Sequence, residues 1–267
     1  MEKVTEKTLV YWGKNSVGEL CLDDNNRMSF TYHDSWHLAL GQKISVSLPI
    51  TSERYTERAH NFFANLLPEG DFRSNVERIF KVSPGNDYSL LKEIGEDCAG
   101  ALSIGRPQNE EEGFYEVLSK KDLLQIIDRA GLFSLAIGNT TRLSLAGAQG
   151  KLALHRDKDG LKKPFHGAPS SVILKFNRTD KKYPRLVENE FFMTQLARRV
   201  GLKVVDASLE TSDGRNYLVI KRYDRVIDQE HWPHRVHQED FCQALNNPHY
   251  QKYQKEGGPS FASCQLS

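Results

Sequence analysis

Alternating apolar and polar positions, broken by turn residues, dominate the start of the chain. Leu9, Val10, Tyr11 and Trp12 run into Gly13-Lys14-Asn15-Ser16, and Val17, Leu20 and Leu22 follow, which predicts a hairpin. Asp23-Asp24-Asn25-Asn26 predicts the next turn, and Met28, Phe30 and Tyr32 alternate with Ser29 and Thr31 as a strand. The period then changes. Phe62, Phe63, Leu66 and Leu67 form an apolar stripe on a helix over about 59–66, ended by Pro68-Glu69-Gly70, and Val76, Ile79 and Phe80 predict a second over about 72–80. Even so, the first hundred residues read as mostly strands and turns. The polar, acidic stretch 105–113 predicts a subdomain boundary. Beyond it, 120–130 reads as a helix. Residues 142–223 read as strands interrupted by one helix over about 187–200, whose apolar side carries Val187, Phe191, Leu196 and Val200.

Composition narrows the class. A chain of 267 residues makes one large domain or two modest ones. Hydrophobic residues at 39%, with 13 Phe, 10 Tyr and 3 Trp, call for a packed core and exclude a disordered chain. With 36 Lys and Arg against 35 Asp and Glu the net charge is +1, so any contact with nucleic acid or an anionic membrane must be local. No apolar run approaches the ~20 residues needed to cross a bilayer, and the start lacks the apolar core of a secretory signal. Membrane, secreted and fibrous classes are therefore not expected, and the cytoplasm is. Cys21, Cys98, Cys242 and Cys264 are scattered and read as reduced thiols. His231, His234 and His237 repeat every third residue, but Pro233 interrupts the helix that would align them on a metal.

Three features of the second half carry candidate chemistry. Ala146, Gly147, Ala148, Gln149 and Gly150 form a small-residue turn between apolar arms, followed by Lys151. Such a turn lets backbone N–H groups approach a phosphate closely, and it also suits an ordinary hairpin. Lys175 stands in the strand Val172-Ile173-Leu174-Lys175-Phe176, on the face opposite Val172, Leu174 and Phe176. There it either meets an anion or lies on a solvated edge. Glu188 and Glu190, in the first turns of the predicted helix, are within reach of a neighbouring strand lysine, and both also suit the helix dipole. Loop, strand lysine and helix glutamate follow one another as in a protein-kinase N-lobe.

The chain resembles the HipA family of bacterial serine/threonine kinase toxins. The matching stretches are Phe62-Phe63-Ala64-Asn65-Leu66-Leu67-Pro68, the run from Glu93 through Asp97, Cys98 and Gly100 to Ala101, and Leu143 to Gln149 followed by Lys151. They continue with Ile173-Leu174-Lys175, Glu188-Asn189-Glu190, Lys221-Arg222-Tyr223-Asp224-Arg225, Gln238-Glu239-Asp240-Phe241-Cys242 and Gly257-Gly258-Pro259-Ser260-Phe261. The resemblance implies an α+β fold: a β-rich N-terminal subdomain over 1–108, a kinase-like N-lobe over 109–223, and the start of an incomplete helical C-lobe over 224–267. It implies ATP and Mg2+ as cofactors, with Ala146, Gly147, Ala148, Gln149, Gly150 and Lys151 over the phosphates and Lys175 holding them. Lys221, Arg222 and Tyr223 would lie at the hinge, Glu188 or Glu190 would orient the lysine, and Ser144 would be autophosphorylated. Gly150 and Lys221 depart from relatives that carry acids at these places.

Its implied partners are a HipB-like helix-turn-helix antitoxin, DNA only through that antitoxin, and a protein substrate such as an aminoacyl-tRNA synthetase; no membrane partner is implied. The catalytic-loop aspartate and metal-binding aspartate of such kinases have no counterpart motif in this sequence. His155-Arg156-Asp157 spells a kinase triplet but runs into Lys158-Asp159-Gly160, a turn. Two readings remain: a kinase toxin lacking its C-lobe and inactive alone, or a non-catalytic fragment that binds the antitoxin or another kinase subunit. On both, residues 224–267 are expected to lie loosely, with nothing to pack on.

Overall fold

The computed structural model describes residues 4–39, 41–109, 111–129, 149–177, 184–229 and 232–265. Strands β1 (Val4–Trp12), β2 (Asn15–Asp23), β3 (Met28–Tyr32) and β4 (Leu102–Ile104) form an antiparallel sheet in the order β3-β2-β1-β4. The predicted hairpin is present with a tighter turn, Gly13-Lys14, and the Met28–Tyr32 strand is where the alternation placed it. Helices α1 (Asp34–Ala39), α2 (Glu57–Ala64), α3 (Gly70–Phe80) and α4 (Asp87–Ile94) accompany that sheet. Phe30, Phe62, Phe63, Leu67, Tyr88, Leu91 and Ile94 are buried in one core with Val10, Val17 and Leu20.

The expectation of mostly strands and turns is thus corrected: this part is as helical as it is stranded. The short α4 carries its own signals. The side chain of Asn86 accepts from the Ser89 N–H at 2.9 Å as an N-cap, and Leu90, Leu91 and Ile94 recur on one face.

The second sheet has six strands, β5 (Phe114–Val117), β6 (Lys151–Asp157), β7 (Gly160–Phe165), β8 (Val172–Phe176), β9 (Ala207–Ser212) and β10 (Arg215–Lys221). Their order is β5-β7-β6-β8-β10-β9, antiparallel throughout. Helix α5 (Lys120–Asp128), capped by Ser119, precedes β6, and α6 (Leu186–Arg199) joins β8 to β9. Of the apolar side expected for α6, Val187 is buried and Phe191 half-buried, whereas Leu196 and Val200 are exposed. The first turns carry the buried contact, and the last turn is tied by Arg198, which donates to the Val205 carbonyl at 3.0 Å and pairs with Asp206 at 3.3 Å. His155-Arg156-Asp157 ends β6 at a hairpin turn. His155 is buried against Tyr115, Arg156 pairs with Glu210, and Asp157 accepts from Lys162 at 2.6 Å.

Residues after 223 do not lie loosely, contrary to the sequence expectation. They open with a two-stranded hairpin, β11 (Arg225–Ile227) and β12 (Pro233–Arg235); His234 lies on a strand, and His231 lies outside the described residues. The short helices α7 (Phe241–Ala244) and α8 (Phe261–Gln265) follow. The segment docks on the N-terminal part. Ser47 donates to the Gln243 carbonyl at 2.8 Å, and Asn61 and Asn65 donate to the carbonyls of Asn246 and Asn247 at 3.1 and 2.9 Å. Glu239 accepts from Ser45 Oγ at 2.6 Å and the Val46 N–H at 3.0 Å, and Lys252 pairs with Glu69 at 2.7 Å.

The strongest joint is a buried ion cluster. Arg222 grips Asp224 through two N–H groups at 2.9 and 2.7 Å. Arg225 bridges Asp224 at 2.8 Å and Asp97 at 2.9 Å, and Arg235 reaches Asp97 at 3.1 Å. The remaining donors go to Ser170 Oγ and to the carbonyls of Cys98, Gly100 and Ser170. Gly100 fits here because its φ is +77° and a Cβ would come within 2.9 Å of the Gln238 backbone. The N-terminal part, the six-stranded sheet and the C-terminal segment all meet in this cluster.

Asp97→Ala strands three guanidiniums beside a lost carboxylate and is expected to cost about 3–5 kcal/mol, read as a lower urea midpoint. The amides of Gln243, Ala244 and Leu245, which donate within and around α7, are expected to resist hydrogen exchange.

Candidate functional site

Lys175 lies on β8, a central strand flanked by β6 and β10. Val172, Leu174 and Phe176 are buried on one face of that strand, while Ile173 and Lys175 project from the other, as the alternation predicts. On β6 the direct cross-strand partner of Lys175 is Lys151, so both lysines share a face. Helix α6 crosses that face and brings Glu190 to Lys175, whose Nζ donates to Glu190 Oε1 at 2.5 Å. Glu188 does something else. It accepts from Asn177 at 3.1 Å and Asn216 at 2.8 Å and so fastens the start of the helix to the ends of β8 and β10. Burial pushes its carboxyl up, but the hydrogen bonds from Asn216, its own backbone and Asn177 outweigh that and leave it below the usual carboxylate range.

Lys151 and Lys175 open into a cleft of about 600 Å3. Ile173 and Ile220 supply its apolar floor, Asn65 and Leu66 reach it from the N-terminal part, and Gln238 to Phe241 with Gln243 form the facing wall. Lys151 is only 7% exposed. Burial, reinforced by the positive charge of Lys175, pushes its amine down from 10.5 to about 8. A concave site with two cations on one face suits a polyanion such as a phosphate chain. A second cavity of about 400 Å3 lies behind the sheet, walled by Val172, Ala207, Val219 and Ile227. The arginines that line it are engaged in ion pairs with Glu210, Asp224 and Asp97.

The other predicted site residues divide. Ser144, Ala146, Gly147 and Ala148 lie outside the described residues. Gln149 and Gly150 hold the entry to β6: Gln149 Nε2 donates to the Phe176 carbonyl at 3.1 Å, and the Gly150 carbonyl accepts from the Phe176 N–H at 3.3 Å. Lys221 and the exposed Tyr223 border the cleft, with the Tyr223 hydroxyl donating to Gln238. Arg222 also borders it, but its guanidinium is buried in the ion cluster and turned to a structural task.

Sequence reasoning missed the facing wall. Asp224, Glu239 and Asp240 stand in it, each already engaged: Asp224 with Arg222 and Arg225, Glu239 with Ser45 and Val46, Asp240 as the cap of α7. Among the described residues no group of three His, Cys, Asp or Glu side chains is placed to hold a metal. Nor is any helix there long and apolar enough to cross a membrane.

A mixed α+β chain whose antiparallel sheet presents a lysine to a helix glutamate above a cleft has a kinase-like architecture. More narrowly, this chain belongs to the HipA family. Residues 8–105 match the HipA N-terminal domain and residues 143–265 the HipA-like C-terminal domain. The chain is 36% identical to the Sinorhizobium fredii protein Y4mE, over 96% of its own length and 63% of that protein's. It is 29% identical to the serine/threonine-protein kinase toxin HipA of Shewanella oneidensis, over 95% of its own length and 59% of that protein's. A solved complex of Shewanella oneidensis HipA and HipB with operator DNA superposes with a TM-score of 0.74 at 25% identity, covering 97% of this chain and 60% of that one. The chain thus spans about three fifths of the length of these relatives.

Because Lys151 binds its proton more weakly folded than unfolded, stability rises with pH between about 8 and 10.5, and the penalty is complete below about 8. A shift of this size costs about 3 kcal/mol at neutral pH. Lys151→Met is therefore expected to raise the urea midpoint at pH 7 and to flatten its rise above pH 8.

Proposed function

We propose that this chain is the ATP-binding part of a HipA-type serine/threonine kinase toxin. The observation that carries the reading is the Lys175–Glu190 ion pair inside the cleft. In protein kinases a strand lysine holds the nucleotide phosphates and a helix glutamate keeps it in place, and both must be present for transfer. Here Glu190 fixes the Lys175 ammonium, Lys151 adds a second cation on the same face, and Ile173, Ile220 and Leu66 offer apolar surface to a base. The strand end Lys221-Arg222-Tyr223 serves as the hinge that borders it. ATP supplies the transferable phosphoryl group.

Magnesium, which the resemblance implies, does not fit the described residues. No three potential ligands converge, and the acids of the facing wall are held by arginines, backbone N–H groups and a helix cap. No step is therefore routed through a metal. The same engagement of every wall acid favours a second reading, a non-catalytic chain that binds nucleotide and works through partners. We take residues 1–108 as the N-terminal subdomain, 109–223 as the kinase-like lobe and 224–267 as the start of the next. By analogy with the solved complex of HipA, HipB and operator DNA, the partner is a helix-turn-helix antitoxin in the cytoplasm, with DNA met through it and a protein as substrate.

Calorimetry decides on binding. ATP is expected to bind the unmodified chain, and Lys175→Met is expected to weaken it about tenfold or more, since a charge-assisted hydrogen bond contributes about 1.5–3 kcal/mol. Unchanged affinity would remove Lys175 from the site. Incubation with Mg-ATP followed by intact mass decides on transfer. A phosphate gained on Ser144 marks a kinase, and nucleotide binding without it marks the partner-binding reading.

A further inference from the structure

Lys151 combines three properties found together in lysines that act as nucleophiles. It is buried on a central strand, it borders a cleft large enough for a small molecule, and it stands directly across from a second ammonium. We propose that Lys151 is a covalent modification site, acylated by acyl phosphates whose phosphoryl group is held by Lys175.

The chemistry follows from the pair. Lys175, anchored by Glu190 at 2.5 Å, is the natural seat for the phosphoryl end of the reagent. The acyl carbon then lies toward β6, where Lys151 is the facing residue. The neutral amine of Lys151 attacks that carbon. A C–N bond forms, the C–O bond to the phosphoryl group breaks, phosphate leaves with the bonding pair, and the proton lost from nitrogen passes to solvent.

Among the described residues, the charged groups that act on Lys151 are Lys175 and Glu190, which pair with each other, and Lys252 and Glu69, which also pair with each other. Lys175 and burial favour the neutral amine, and at pH 8 about half of it is in that form. For an ordinary lysine the neutral share at that pH is about 0.4%. Acylation deletes one of the two cations of the cleft, so the modified chain is expected to hold polyanions less well. The step requires an anion-accepting cleft and no nucleotide, so it stands or falls separately from the kinase reading.

The test incubates the full chain at pH 8, without nucleotide, with acetyl phosphate or with the uncharged acetyl ester of N-hydroxysuccinimide, and follows each lysine by peptide mass spectrometry. The exposed Lys158 and Lys203 serve as internal references. Acetyl phosphate is expected to modify Lys151 about tenfold or more faster than either reference. That preference is expected to shrink with the uncharged ester and in Lys175→Gln. A rate at Lys151 at or below the references would overturn the proposal. So would equal preference with both reagents, a comparison made on the unmodified chain and independent of whether the variant folds.

Discussion

Three arginines and two aspartates, sealed from water, decide how the parts of this chain sit together. Arg222, Arg225 and Arg235 come from the end of the six-stranded sheet and the hairpin after it, Asp97 from the N-terminal part, and Asp224 from between the first two arginines. Burying such charges is costly, and the cost is offset only when geometry is good and every remaining donor finds an acceptor. Here the carbonyls of Cys98, Gly100 and Ser170 take donors of Arg222 and Arg225, and those of Leu102 and Glu96 take donors of Arg235. Burial and the nearby Arg222 push Arg225 down to about 10, which still leaves it charged at neutral pH. Planar guanidiniums meet several acceptors at fixed angles, so the cluster specifies an orientation as well as an attachment. The strand end beside the cleft inherits that orientation.

The cleft shows the opposite economy. On the sheet side, two ammoniums share one face, and one of them is held there at a cost to stability. On the facing side, every acid is engaged in holding the wall together. Such a surface suits negative charge on the sheet side, and each acid of the described wall already holds a hydrogen bond or an ion pair. The local cost to folding is concentrated on Lys151, buried beside a second ammonium.

Period and turn chemistry made much of this legible in the sequence. The hairpin at Gly13, the strand at Met28 and the face on which Lys175 projects all follow from side-chain alternation. The Lys175–Glu190 pair was legible as two candidates, and choosing between them needed the helix phase: Glu190 points over the strand while Glu188 ties down the helix start. The resemblance places Lys221, Arg222 and Tyr223 at a hinge for nucleotide, yet Arg222 turns away into the ion cluster. Asp224 is a local partner, but the burial that turns Arg222 inward depends on Asp97 and Ser170, which lie 125 and 52 positions away. The docking of residues after 223 was missed for the same reason. Asn61 and Asn65 look like ordinary helix residues until Asn246 and Asn247 arrive to meet them.

The long-range nature of that cluster also bears on how the chain is made. Asp97 and Arg225 are 128 positions apart. At ribosomal speeds of about 5–20 residues per second, the first sheet waits about 6–26 s before its basic partners are even synthesised. During that interval the nascent N-terminal part must hold its shape with a solvated carboxylate where a sealed one will later be. Its own core of Phe30, Phe62, Phe63 and Tyr88 is complete before Arg222, Arg225 and Arg235 are made, so the arginines close around Asp97 on a part that has its apolar contacts already.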